Sequence, residues 1–122
     1  MTRVLVAEKN TAVGEMLTWV LKLQGYEAFS AFTATEAFQM VEHIFPDIIL
    51  LDLTLEPLSG VPFLDMLTLR GVRSQFQIIV MSPDELQWYD EQTGRKISAE
   101  GYLSKPFPLS ALYNQIAQVA TE

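Results

Sequence analysis

The chain has no cysteine, which excludes disulfide frameworks, thiol nucleophiles and Cys-ligated zinc. Basic residues are scarce: 8 Lys and Arg stand against 15 Asp and Glu, a formal charge of −7. That sign argues against a nucleic-acid-binding surface. The only histidine is His43. It lies on the polar side of a helical pattern and reads as a surface residue, and with no histidine at a strand end a metabolic enzyme is disfavoured. No apolar run approaches the ~20 residues of a membrane helix, and Met1 to Val6 is too short for a signal peptide. Repeats, low-complexity tracts and Pro/Gly/Ser-rich linkers are missing too. The expectation is a cytoplasmic protein that contacts neither membrane nor nucleic acid, one domain over residues 1–122 with no output domain. What is present supports this: 122 residues, 49% hydrophobic and 19% charged, the profile of one globular domain with its own core.

Val4-Leu5-Val6-Ala7 is a short apolar run that ends in Glu8-Lys9-Asn10, a buried strand meeting a loop. Val13, Met16, Leu17, Val20 and Leu21 then follow the i, i+3, i+4, i+7, i+8 stripe of an amphipathic helix, with Gly25 placed to cap its end. Glu27 to Ala31 is a weaker strand. Thr33-Ala34-Thr35-Glu36 fits a capping box that opens a second helix, its apolar face Ala37, Phe38, Val41 and Ile44, stopped by Pro46. Asp47-Ile48-Ile49-Leu50-Leu51-Asp52 shows no polar alternation between its two aspartates, as expected of a central parallel strand covered on both faces. Pro57 to Gly60 is a turn, and Pro62 opens a third helix with Phe63, Leu64 and Leu67 inward. Gln77 to Met81 is a fourth strand, ending at Ser82-Pro83. A fourth helix is expected between Asp84 and Ala99, although Trp88 and Tyr89 are adjacent and Thr93-Gly94 interrupts the pattern. Since neighbours on a helix diverge by ~100°, one of those two aromatics should be exposed. Tyr102-Leu103 is a fifth strand, and Leu109, Leu112, Ile116 and Val119 mark the last helix.

Five strand–helix alternations require an open, mostly parallel sheet with right-handed crossovers and helices on both faces. Ligands of such sheets bind beyond the carboxyl ends of the strands, at the topological switch point. Those ends carry Glu8 and Lys9, Asp52, Ser82 and Lys105.

Four segments in order, Val4-Leu5-Val6-Ala7-Glu8, Pro46 to Asp52 with Gly60 eight residues on, Ile78 to Ser82, and Gly101 to Phe107, make the chain resemble the response-regulator receiver domain. This is the CheY-like family of two-component signalling, and the resemblance spans essentially the whole length. It implies a flavodoxin-like (βα)5 fold, a five-stranded parallel sheet in the order 2-1-3-4-5. By the same resemblance Asp52 is the phosphoacceptor, Lys105 pairs with the phosphoryl oxygens, Ser82 is the hydroxyl that turns inward, and Tyr102 is the aromatic that changes rotamer with it. Magnesium would be held by Glu8, Asp52 and the Thr54 carbonyl. Partners would be a sensor histidine kinase or phosphotransfer protein, and a downstream protein at the face of helix four, strand five and helix five.

The departures from the family pattern are specific. Two adjacent carboxylates usually follow the first strand; here Glu8 is followed by Lys9. With Glu8 and Asp52 set against Lys9 and Lys105, the site sums to zero. Exchanging a unit attraction for a repulsion at 4 Å shifts a divalent ion's energy by several kcal/mol at an effective dielectric of ~20. Magnesium binding should therefore be weak or absent, with the Lys9 ammonium bridging Glu8 and Asp52. Pro83 also fixes its own φ and restricts Ser82.

The leading expectation is a receiver that accepts a phosphoryl group on Asp52. It would be no enzyme beyond self-phosphorylation and self-dephosphorylation at that residue. The alternative is a pseudo-receiver interaction module with Lys9 in the metal position. A flavodoxin-like nucleotide or flavin binder is more remote, because Glu8-Lys9-Asn10-Thr11 lacks the glycines of a phosphate cradle.

Overall fold

The computed structural model describes residues 1–57 and 61–120; Gly60 and the end of its turn lie outside them. The elements in chain order are β1 (Arg3–Ala7), α1 (Thr11–Leu23), β2 (Glu27–Ala31), α2 (Ala34–Ile44), β3 (Ile48–Asp52), α3 (Phe63–Leu69), β4 (Gln77–Ser82), β5 (Gly101–Ser104) and α4 (Leu109–Ala120). All strand pairs are parallel, in the order β2-β1-β3-β4-β5. This is the flavodoxin-like sheet expected from the sequence, with four α-helices among the described residues and not five.

β3 is buried along its whole length, and its alternate residues serve two cores. Ile48 and Leu50 join Leu17, Leu21, Leu112 and Ile116 on the α1/α4 side. Ile49 and Leu51 join Ala37, Val41, Phe63 and Leu67 on the α2/α3 side. A strand covered on both faces has no solvent side to carry polar residues. Each fully buried Leu or Ile contributes about 1.5–3 kcal/mol.

Local signals set the helix ends. Asn10 Oδ1 accepts from the Val13 amide at 3.1 Å and caps α1. At its other end Gly25 takes φ +94°, and the amides of Gly25 and Tyr26 donate back to the Lys22 and Leu21 carbonyls, a Schellman motif. The Thr33 hydroxyl accepts from the Glu36 amide at 3.1 Å to start α2. α2 ends where Phe45 turns left-handed before Pro46.

The helix expected over 84–99 does not form. After Pro83 the Asp84 side chain caps one 3₁₀ turn, Glu85–Trp88. The chain then reverses through Thr93-Gly94, with Gly94 at φ +70°, so that Tyr89 pairs antiparallel with Lys96. Trp88 packs against Tyr102, ring centroids 5.3 Å apart and planes tilted by 49°, while Tyr89 stays 45% exposed. The Lys96 ammonium sits 4.0 Å from the Tyr102 ring centroid and 5.3 Å from that of Trp88. Fixing both rings and the cation holds the segment as a strapped loop in place of the helical crossover. The expected face of helix four, strand five and helix five therefore consists of this loop, β5 and α4.

Candidate functional site

The switch point of the sheet lies where β1 pairs with β2 on one side and β3 on the other. Glu8 follows β1 and Asp52 ends β3, so the two acidic side chains meet beyond the carboxyl edge. The Glu8 amide is tied to the Ala31 carbonyl at 3.0 Å. Gly14 of α1 packs close by: a Cβ there would approach Glu8 Cβ at 3.4 Å and the Phe32 ring at 3.1 Å. A side chain at position 14 would crowd the Phe32 ring, which would have to give by a few tenths of an ångström.

Asp52 is 1% exposed, and so is Glu8. Asp52 Oδ1 accepts from the Thr54 amide at 2.9 Å and the Thr54 hydroxyl at 2.7 Å. Its Oδ2 accepts from the Lys9 amide at 3.1 Å and lies 3.7 Å from Lys105 Nζ. Glu8 Oε2 accepts from the Asn10 amide at 3.2 Å, and Glu8 Oε1 is ion-paired with Lys105 Nζ. Lys105 itself is anchored by its amide, which donates to the Ser82 carbonyl at 2.8 Å. One ammonium thus spans both buried carboxylates.

Burial alone would raise the Asp52 pKa, but hydrogen bonds from the Glu8 carboxyl, Thr54 and the Lys9 amide outweigh it and hold the group at about 2. Glu8 is pushed up, first by burial and then by the Asp52 carboxyl, against the pull of Lys105 and the Asn10 amide. On acidification Glu8 takes a proton before Asp52.

The expected bridge by Lys9 is not what the structure shows. The Lys9 side chain is exposed, beside Thr33, Thr35 and Glu56 in a neighbouring cleft, and makes no ion pair among the described residues. Its backbone amide contributes to the site in its place. The ammonium between Glu8 and Asp52 is that of Lys105, whose position at the end of β5 lets its stem reach inward while Lys9 points to water.

Ser82 and Tyr102 are both engaged elsewhere. The buried Ser82 hydroxyl lies 2.7 Å from the Asp84 carbonyl and 2.6 Å from Gln87 Oε1, and accepts from the Asp84 amide at 3.1 Å. None of these bonds reaches Asp52. The Tyr102 hydroxyl donates to the Ile97 carbonyl and accepts from the Ala99 amide at 3.2 Å. His43 is exposed, with Nδ1 2.7 Å from the Gln39 carbonyl.

The model of the response regulator receiver domain matches residues 4–117. The chain belongs to the response-regulator receiver family. As a receiver it is a signalling domain of two-component systems, a family whose members are generally not enzymes. Solved receivers share the fold at low identity. The response regulator from Desulfuromonas acetoxidans superposes with a TM-score of 0.85 at 15% identity, over 99% of this chain and 98% of that one. The receiver domain of Francisella response regulator 1452 gives 0.79 at 20%, with the same coverage. The Thermotoga maritima response regulator TrrA, solved in complex with Mg(2+)-BeF, gives 0.75 at 22%, over 98% of this chain and 99% of that one.

This receiver's residues do not fit a magnesium ion well. Magnesium keeps several waters and needs only one or two carboxylates, but here both carboxylates share the Lys105 ammonium, and the residue after Glu8 is Lys9. Among the described residues no group of three acidic or histidine side chains is placed to hold a metal. Sequence reasoning missed Gln87, Lys96 and the Thr54 hydroxyl; the Lys96 contact with Tyr102 has no local signal, whereas Thr54 closes an Asx turn on Asp52 two residues back. No helix among the described residues is long and apolar enough to cross a membrane.

Proposed function

We propose that this receiver is an interaction module of a two-component pathway whose two buried carboxylates are bridged from within by the Lys105 ammonium, so that it signals through protein contacts without magnesium-dependent phosphorylation. The observation that supports this most is the Glu8–Lys105–Asp52 bridge. It places a covalently attached cation between the two carboxylates a metal would need and leaves Asp52 1% exposed with both oxygens occupied. The engagement of Ser82 with Asp84 and Gln87, and of Tyr102 with Ile97, points the same way: both candidate switch groups already have partners in the strapped loop. Contacts would come from a sensor kinase or phosphotransfer protein and from a downstream protein facing the loop, β5 and α4.

A second reading rests on one observation. Asp52 is held at about 2, a charged nucleophile at the end of β3 beside Lys105. Phosphorylation would form a bond from an Asp52 oxygen to phosphorus as the phosphorus–nitrogen bond of a donor histidine breaks. The imidazole would keep the electron pair and take up a proton, while Lys105 would neutralise the transferring oxygens. Intact-mass measurement after incubation with acetyl phosphate and magnesium separates the two. The proposal expects no adduct on the wild type. An adduct that disappears in Asp52→Asn establishes the second reading.

A further inference from the structure

The outer face of α1 carries an apolar seam that nothing among the described residues covers. Met16, Trp19 and Leu23 are 43%, 64% and 66% exposed, and Ala12 is exposed on the same face. From Ala12 the spacings are four, three and four, the repeat of a two-helix seam. The opposite stripe, Leu17 and Leu21 among it, is fully engaged in the core. The exposed seam therefore cannot be explained by folding.

We infer that α1 pairs with α1 of a second copy of this chain, antiparallel about a two-fold axis. The seam is self-complementary in that arrangement. With the axis between residues 17 and 18, Ala12 of each copy faces the partner's Leu23, small against large, and Met16 of each faces the partner's Trp19. The charges beside the seam obey the same symmetry. Glu15 and Lys22 flank it on one side, seven residues apart; both are exposed and neither makes an ion pair among the described residues. In antiparallel register each Glu15 falls opposite the partner's Lys22, so one contact produces two identical ion pairs, as an isologous interface requires. A parallel pairing would not bring these two positions together. The seam is only ~17 Å long, so the dimer is weak and forms toward the top of the concentration range. It does not depend on whether Asp52 is phosphorylated.

Sedimentation equilibrium up to millimolar protein tests this with charge reversals that leave the core untouched. Wild type dimerises. Glu15→Lys alone and Lys22→Glu alone each place like charges opposite one another twice and weaken the dimer about tenfold or more. An equimolar mixture of the two variants satisfies both pairs and recovers it, as does the double reversal in one chain. Trp19→Ser abolishes the dimer while its circular dichroism and unfolding midpoint stay close to wild type. A wild type that remains monomeric at millimolar concentration overturns the inference, as does a dimer indifferent to these changes. A monomer whose Trp19→Ser variant fails to bind a histidine-bearing donor domain assigns the seam to that donor and overturns it equally.

Discussion

Lys105 is the residue on which the pocket's electrostatics turn. Its ammonium serves Glu8 and Asp52 together, two carboxylates otherwise buried side by side. Replacing it with an apolar side chain leaves uncompensated buried charge, a change that costs about 3 kcal/mol or more. Lys105→Met should lose at least that much stability to denaturant at pH 7, and its Glu8 carboxyl, which Lys105 pulls down, should titrate higher than in the wild type. Asp52 also shapes the acid limb of stability. Its pKa is lowered from 3.8 to about 2 on folding, so its contribution is complete above pH ~4 and is lost as pH falls toward 2. At 1.36 kcal/mol per unit this amounts to about 2 kcal/mol. Glu8 has the opposite sign, because its raised pKa means that protonation favours the fold. The Glu8 contribution is complete once pH falls below the ordinary 4.5, so from about pH 4 to pH 2 Asp52 sets the slope: unfolding free energies should drop over that span in the wild type, and Asp52→Asn should flatten it.

The loop from Pro83 to Glu100 behaves as an element in its own right. Its structure comes from the Trp88–Tyr102 contact, the Lys96 cation over both rings and the bonds from the Tyr102 hydroxyl to Ile97 and Ala99. Tyr102→Phe keeps the ring and removes both bonds, a loss of about 1–2 kcal/mol. The measurable consequence is faster amide exchange at Ala99 with little change in β1 or β3. This is also where sequence reading stops short. β3 is legible because burial on both faces removes polar alternation, and α2 is legible because Thr33 and Glu36 form a local cap. The strapped loop is held by a ring that belongs to β5, beyond the reach of any periodicity within 84–100.

At the scale of the molecule, the strand order came from the receiver resemblance, while the parallel sheet and the carboxyl edge that carries Glu8, Asp52 and Lys105 were readable from alternation. Which ammonium fills the pocket was not. Lys9 adjoins Glu8 in the chain, while Lys105 lies 97 residues away. The end of β5 nonetheless brings Lys105 inward, and Lys9 faces water. The net charge of −7 consequently says little about metal affinity, since the two buried acids share one internal cation and the rest are spread elsewhere. Magnesium titration, followed through the amide resonances of Lys9 and Thr54 that donate to Asp52, decides between an internal and an external cation. The internal cation predicts no saturable shift at either amide up to tens of millimolar magnesium at pH 7. Saturable shifts at both amides in the low millimolar range, abolished in Asp52→Asn, would contradict it.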